Sequence, residues 1–291
     1  MNYDYPLFRP PSEAYSLILQ LTIGCSHNAC TFCTMYKGKK YRPKKWPEIK
    51  ELIAEAARDY AQARRIFLAD GNALSLPSEI LTAALQMINE RFPRLERISI
   101  YGSPQDILGK TVGELRELRR HGLELVYMGI ESGSERVLKM VKKGITPGET
   151  IMAGKKAREC GFALSATIIS GLGGAEYWEE HAVETAGVVS AINPEYLGAL
   201  TLFLREGAPL LRSIEKGQFT MLAPWQILRE TRLMIENLEL NDCLFRSNHA
   251  SNYFDLGCIL NREKEAVLER IDRYLASPFI KSLPVEINRG L

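Results

Sequence analysis

No stretch of this 291-residue sequence approaches the roughly 18 consecutive apolar residues that a helix needs to span a bilayer, so no membrane association is expected. The opening Met1-Asn-Tyr-Asp-Tyr-Pro-Leu-Phe-Arg-Pro10 has neither the basic region nor the apolar core of a signal peptide, and the expected location is cytoplasmic. Acidic residues are missing altogether between Glu13 and Glu48, while Lys37, Lys39, Lys40, Arg42, Lys44 and Lys45 crowd into that window. There is no internal repeat at a fixed period and no low-complexity segment, which excludes repeat arrays and disordered tracts. The first strand candidate is followed by no glycine-rich phosphate loop, which weighs against a dinucleotide-binding sheet.

What is present is enough to build one sizeable core. Apolar residues make up 46% and charged residues 25%, ordinary for a globular protein, and the net charge is +2. Six apolar, β-branched-rich runs lie at Ser16–Ile23, Arg65–Asp70, Arg97–Gly102, Leu123–Glu131, Phe162–Gly171 and Tyr196–Phe203. Segments of helical period separate them at Pro47–Ala63, Pro77–Phe92, Thr111–His121, Ser134–Cys160 (broken near Pro147) and Glu176–Ile192, and Pro224–Leu238 follows the sixth run. Pro47 and Pro77 stand where proline opens a helix, and Gly122 and Gly161 where glycine closes one. Strands each followed by a helix mean a parallel sheet covered by helices, here an α/β partial (β/α)6 TIM-like barrel with chemistry at the C-terminal strand ends. Residues 1–240 are assigned to the barrel and 241–291 to a small C-terminal loop and helix cap. In that cap Arg246–Tyr253 reads as a polar loop and Arg262–Ala276 as one amphipathic helix.

Three of the six cysteines cluster in Gly24-Cys-Ser-His-Asn-Ala-Cys-Thr-Phe-Cys33, directly after the first strand. In a reducing compartment, clustered cysteines point to metal or redox chemistry before disulfides. Soft thiolates suit zinc and iron–sulfur clusters. Structural zinc takes four ligands, commonly as two separated pairs, and no second pair follows here; His27 stands only two residues from Cys25. Three thiolates on a four-iron cluster leave one iron open to a chelating small molecule. Cys160, Cys243 and Cys258 are scattered, and Cys160 reads as a buried thiol.

Cys25-x4-Cys30-x2-Cys33 resembles the signature of the radical S-adenosylmethionine (SAM) superfamily, whose commonest form has three residues in the first gap where this chain has four. Phe32 matches the aromatic residue that precedes the last cysteine and packs near the SAM adenine. Asp70-Gly71-Asn72 takes the place of the motif that binds the SAM amino group. Tyr127-Met-Gly-Ile-Glu-Ser-Gly-Ser-Glu-Arg-Val-Leu138 resembles a segment of the branch holding the methylthiotransferases and the catalytic subunit of Elongator, and by it Glu131 and Ser132 lie at SAM. Ile168-Ile-Ser-Gly-Leu-Gly-Gly174 resembles the segment on the adenine side, through Ile168 and Gly171, and Arg205-Glu-Gly-Ala-Pro209 resembles a turn after the sixth strand. The resemblance implies a [4Fe-4S] cluster on Cys25, Cys30 and Cys33, SAM chelating the open iron, reductive cleavage of SAM, and hydrogen abstraction by a 5′-deoxyadenosyl radical.

Plainer readings stand beside these. Asp70 also suits a strand-end turn, Glu131 a helix-capping carboxylate, and Ser134 a helix N-cap. Lys37–Lys45 fits a solvated loop, a phosphate-binding patch, or a docking face for an acidic donor such as a flavodoxin or ferredoxin. His249, in the polar loop, is the candidate substrate-side acid or base, whereas His121 and His181 read as surface residues. The substrate is expected to be a small molecule, since the chain has no room for the appended modules of the resembling branch, with RNA as the alternative. Two other functions also fit the cysteines: a metal-stabilised RNA-binding module, and a cluster-bearing accessory protein without turnover. Near-neutral charge and the lack of an aromatic–basic motif weigh against RNA.

Overall fold

A computed structural model describes residues 1–285. The chain opens with β1 (Leu17–Gln20), β2 (Thr22–Ile23), β3 (Arg42–Pro43) and α1 (Trp46–Tyr60). Then come β4 (Arg65–Ala69), α2 (Ser78–Arg91), β5 (Arg97–Tyr101), α3 (Pro104–Gly109) and α4 (Val112–Arg120). β6 (Leu123–Glu131) is followed by α5 (Glu135–Met140) and α6 (Pro147–Glu159), and β7 (Ala163–Ser170) by α7 (Gly174–Ile192). β8 (Tyr196–Thr201), α8 (Pro209–Glu215) and α9 (Pro224–Asn237) lead to β9 (Cys243–Ser247), β10 (Leu256–Leu260), α10 (Lys264–Ala276) and α11 (Pro278–Ser282).

All six expected strands form, and they share one eight-stranded sheet of order β1-β4-β5-β6-β7-β8-β9-β10. Pairing is parallel from β1 through β6 and from β7 through β9, and β10 returns antiparallel to β9. This is the mostly parallel α/β sheet of a partial TIM-like barrel, extended by two strands not expected from the sequence, of which only Arg246–Ser247 in β9 fall within the loop expected over Arg246–Tyr253. β9 ends on the polar Arg246 and Ser247, and Gly257 interrupts the apolar residues of β10, so neither shows the continuous apolar, β-branched-rich run that marks the six barrel strands. The first expected strand is broken: Leu21 leaves the sheet, and Thr22–Ile23 pair instead with Arg42–Pro43.

The chain divides into two compact units. The first comprises Met1–Asn28, Met35–Met128 and Met152–Leu164, and the second comprises Ala29–Thr34, Gly129–Ile151 and the residues from Ser165 onward. In the first, Phe67, Tyr101 and Tyr127 meet edge to face at 4.8–6.0 Å between ring centres. The Tyr127 hydroxyl donates to the fully buried Glu13 carboxylate at 2.6 Å, and Arg97 pairs with that carboxylate at 2.7 Å. In the second, Val137, Val141, Leu172, Leu202, Leu204, Leu210 and Phe219 form an apolar core.

Local chemistry sets the helix ends. Thr111 and Glu114 form a reciprocal capping box at α4, and Ser103 and Asp106 form another at α3. Gly122 (φ +87°) and Gly161 (φ +90°) close α4 and α6 in the left-handed region, as their positions predict. The helical segment over Ser134–Cys160 breaks where expected, between Met140 and Pro147, where Lys142 and Gly144 turn left-handed.

Candidate functional site

The cysteine loop leaves β2 and is anchored at both ends, each end within its own unit. At the first, the fully buried Asp70 at the end of β4 accepts from the Gly24 N–H at 3.0 Å, from Gln20 Nε2 at 3.3 Å and from Lys39 Nζ at 3.2 Å, all on Oδ2. Its Oδ1 is buried without a partner. The Tyr36 hydroxyl faces this carboxylate without closing a hydrogen bond, and burial together with the Asp70 charge pushes its pKa well up. Two residues on, Asn72 accepts from the Ser26 N–H at 3.0 Å and donates to Ser26 Oγ at 2.5 Å and Asp106 Oδ2 at 3.0 Å. Between them Gly71 presses on Cys25: a Cβ on Gly71 would sit 2.8 Å from the Cys25 Cβ.

At the second end, the Thr31 N–H donates to the Val141 carbonyl at 2.9 Å and the Thr31 carbonyl accepts from the Leu210 N–H at 2.9 Å. Phe32 packs against the core built from α5 and α8. Cys30 and Cys33, on either side of this anchored pair, are half-buried, as is Cys25. Thr31 Oγ1 is another buried oxygen with no hydrogen-bond partner. Within each unit a half-buried cysteine stands next to an anchored turn that holds a buried oxygen with no partner, Asp70 Oδ1 in the first and Thr31 Oγ1 in the second, which fits a bound group that supplies the missing contacts. Among the described residues no three His, Cys, Asp or Glu side chains converge as ligands of one ion. A four-iron cluster takes each thiolate on a different iron, so its ligands have no need to converge.

β6 ends on Glu131, whose backbone is left-handed (φ +64°), a conformation costing a residue other than glycine roughly 1–2 kcal/mol. Its carboxylate pairs with Lys143 Nζ at 2.7 Å, and both side chains are nearly buried. A side chain on Gly129 would collide with that carboxylate, which explains the glycine two residues earlier. Glu131 is therefore not a helix-capping carboxylate. Ser134 is the cap, accepting from the Val137 N–H at 3.2 Å. Gly133 lies against the α7 backbone at Glu184 and Thr185, leaving no space for a Cβ.

His181, expected at the surface, is buried at 2% exposure; His121, also expected there, is half-buried and pairs with Glu117. His181 Nδ1 is 2.8 Å from Ser132 Oγ and Nε2 is 3.1 Å from the Ile169 carbonyl. A carbonyl only accepts, so Nε2 carries the proton and Nδ1 accepts from Ser132. Burial holds its pKa down at about 4, and the ring is neutral. Ser132 Oγ also accepts from the Ser134 N–H at 3.0 Å, so its one donor and one of its two acceptor sites are used inside the protein. Gly171 (φ +84°) donates its N–H to Glu230 Oε1 at 2.7 Å, and burial pushes the Glu230 carboxyl up to about 8. Ile168, on β7, is almost completely buried.

His249 and Asn252 lie after β9. Asn252 accepts from the Thr201 N–H at 2.7 Å and donates to the Ala199 carbonyl at 2.8 Å, continuing the pairing along β8 beyond the end of β9. His249 Nδ1 accepts from the Ser251 N–H at 3.0 Å, which fixes this half-buried ring too as the Nε2–H form; burial lowers its pKa. The basic run is not a uniform solvated loop. Lys39 is buried between Asp4 and Asp70, and burial lowers the pKa of half-buried Lys44, whereas Lys37, Lys40 and Lys45 are exposed.

Lys39, Asp106, Lys143, His181 and Glu230 were missed as site residues. Two of them had a legible signal. Glu230 stands on the apolar stripe Ile227, Thr231, Met234 of α9, and His181 shares a face with Thr185 and Val188 of α7. A polar residue on an apolar stripe marks a buried hydrogen-bonding site.

Comparison with known proteins agrees with this picture. Residues 19–186 match the family model of the radical SAM superfamily. A candidate methylthiotransferase of Methanocaldococcus jannaschii is 30% identical over 185 residues, covering 58% of this chain and 39% of that protein. An uncharacterized methyltransferase of Pyrococcus horikoshii is 27% identical over 158 residues, covering 52% and 32%. The chain thus spans 39% and 32% of the length of these curated relatives. Methylornithine synthase shares the fold at a TM-score of 0.53 and 15% identity, over 94% of this chain and 83% of that one. A radical SAM methyltransferase from Kitasatospora setae does so at 0.56 and 17%, over 94% and 54%. With the family match extending over more than half of its length, this chain belongs to the radical SAM superfamily of enzymes, whose members use a [4Fe-4S] cluster and SAM.

Proposed function

We propose that Cys25, Cys30 and Cys33 hold one [4Fe-4S] cluster and that the chain uses SAM to abstract hydrogen from a small-molecule substrate. The bound cofactors supply the electron and the 5′-deoxyadenosyl radical; the protein supplies orientation and a dry pocket. The observation carrying this reading is the loop itself: three half-buried cysteines, anchored through Asp70 and Asn72 at one end and Thr31 at the other.

Of the residues that resemblance assigns to SAM, Phe32, Asp70 and Glu131 keep groups suited to a ligand. Asp70 Oδ1 has no protein partner and suits an ammonium. Glu131 beside Lys143 presents an acceptor and a cation together, suited to hydroxyl and carboxylate groups. Ser132, Ile168 and Gly171 act as wall and support, since the Ser132 O–H and the Gly171 N–H are already spent on His181 and Glu230. His249, with its proton on Nε2, serves the substrate as a hydrogen-bond donor. A small molecule is favoured over RNA because Lys39 and Lys44 are withdrawn from the basic run, thinning any phosphate-binding face.

The test is anaerobic reconstitution with iron and sulfide, followed by dithionite and SAM and an assay for 5′-deoxyadenosine. Formation by the wild type and loss in Cys30→Ala is the expected result. A cluster without 5′-deoxyadenosine favours the accessory protein, and bound zinc with no cluster overturns the reading.

A further inference from the structure

The turn that follows β4 directs its side chains back at one residue, Cys25. Asp70 and Asn72 take the N–H groups of Gly24 and Ser26, the residues on either side of it, each at 3.0 Å. Gly71, between them, has no Cβ because that space holds Cys25 itself, with the Gly24 carbonyl equally close at 2.8 Å. The Asn72 amide has both of its donors engaged, on Ser26 Oγ and Asp106, and it is 2% exposed. Asp106 is in turn held at 2.8 Å by the Ser103 N–H and at 2.7 Å by Ser103 Oγ, at the start of α3. A continuous chain of hydrogen bonds thus runs from the α3 N-terminus through Asp106 and Asn72 to the residue after Cys25.

We propose that Asp70-Gly71-Asn72 is a clamp that sets Cys25 in place as a cluster ligand, with Gly71, Asn72 and Asp106 as positioning residues that touch neither SAM nor substrate. The proposal rests on the reading of the cysteine loop as a cluster site and gives Gly71 and Asn72 a different task from binding the SAM amino group, for which Asp70 Oδ1 remains open. Cys25 lies in an irregular loop and is separated by four residues from Cys30, so nothing in regular secondary structure fixes it. Fixing both neighbouring amides removes that freedom before the cluster binds. Partners that orient metal ligands are commonly worth about 10–100-fold in metal affinity.

The experiment uses the full chain in two forms. In metal-free protein, iodoacetamide labelling of each cysteine is followed by mass spectrometry. Asn72→Ala and Gly71→Ala are expected to label Cys25 several-fold faster than wild type, with Cys160 and Cys258 still protected as a control for folding. In reconstituted protein, iron content, the electron paramagnetic resonance spectrum of the reduced cluster and the rate of iron loss to a chelator are measured. Asn72→Ala is expected to lose iron at least about tenfold faster. Asn72→Asp, which sets two carboxylates together, is expected to do the same, and Asn72→Asp/Asp106→Asn, which restores a donor–acceptor pair, to recover. Wild-type labelling and iron loss in Asn72→Ala overturn the clamp while leaving the cluster reading intact. A wild-type chain that binds no four-iron cluster overturns the cluster reading, and with it the ligand role claimed for Cys25. A swap variant that melts like wild type but does not recover overturns the assigned hydrogen-bond path.

Discussion

At the scale of single residues, the buried titratable groups give the sharpest expectations. His181 is held at about 4 in the fold against an ordinary value near 6.5, so the unfolded chain binds more protons between those limits and stability falls as pH drops through them. Glu230 has the opposite sign. Its carboxyl is raised to about 8 from an ordinary value near 4.5, so the fold binds the extra proton and loses stability as pH rises through that window. Of these two effects, only that of Glu230 operates between roughly pH 6.5 and 8, with a slope of at most about 1.4 kcal/mol per pH unit. The melting temperature of the wild type should therefore decline from pH 6.5 to 8, and Glu230→Gln should flatten that decline while keeping the acceptor for the Gly171 N–H. An equal slope in the variant would place the titrating group elsewhere. Glu13 makes a second case: Glu13→Ala leaves Arg97 and the Ser16 hydroxyl without their carboxylate partner, while the Tyr127 hydroxyl keeps Ser12 Oγ, and should cost about 2–4 kcal/mol in chemical denaturation, the Arg97 side chain being partly exposed.

At the scale of elements, the Gly129–Ser134 segment shows a motif whose residues serve different ends. Gly129 makes room for Glu131, Gly133 lets the turn before α5 approach α7, and Ser134 caps α5. Ser134→Ala should cost about 1 kcal/mol, the usual worth of an N-cap, whereas Gly133→Ala forces a methyl into the α7 backbone and should cost more, about 1–3 kcal/mol. Equilibrium unfolding of the two variants distinguishes them, and a Gly133→Ala variant as stable as the Ser134→Ala variant would count against close packing as the reason for the glycine. The six barrel strands were legible as continuous apolar, β-branched-rich runs, and most helices as long periods bounded by proline or glycine. β9 and β10 were not, since Arg246 and Ser247 end β9 in polar residues and Gly257 interrupts β10. Asn252, read as part of the polar loop, instead extends the edge of β8, and Asn252→Ala should raise hydrogen exchange at Thr201 and through residues 248–252 while leaving β7 unchanged.

At the scale of the whole molecule, the three cysteines and their place after the first strand were legible because ligand spacing is local in sequence. Asp70 and Asn72 were legible as site candidates, but for the SAM amino group; that they take the amides on either side of Cys25 across more than forty residues, and that Lys39 leaves the basic run to meet Asp70, was not. What remains of that run is still charged at its surface: Lys37, Lys40 and Lys45 are exposed, and Lys37 donates at 2.5 Å to the Asn28 carbonyl within the cysteine loop. A radical SAM enzyme needs an electron from outside, and a positive face joined to the cluster loop suits an acidic donor such as a flavodoxin or ferredoxin. Electrostatic steering acts on association and is screened over about 8–10 Å at physiological salt. Lys40→Glu/Lys45→Glu should therefore slow cluster reduction by such a donor several-fold at low ionic strength, with the deficit shrinking as salt is added. Reduction by dithionite, a small anion needing no docking face, should change far less. Equal slowing with both reductants would trace the defect to the cluster environment, and no slowing with either would leave these lysines as solvated surface.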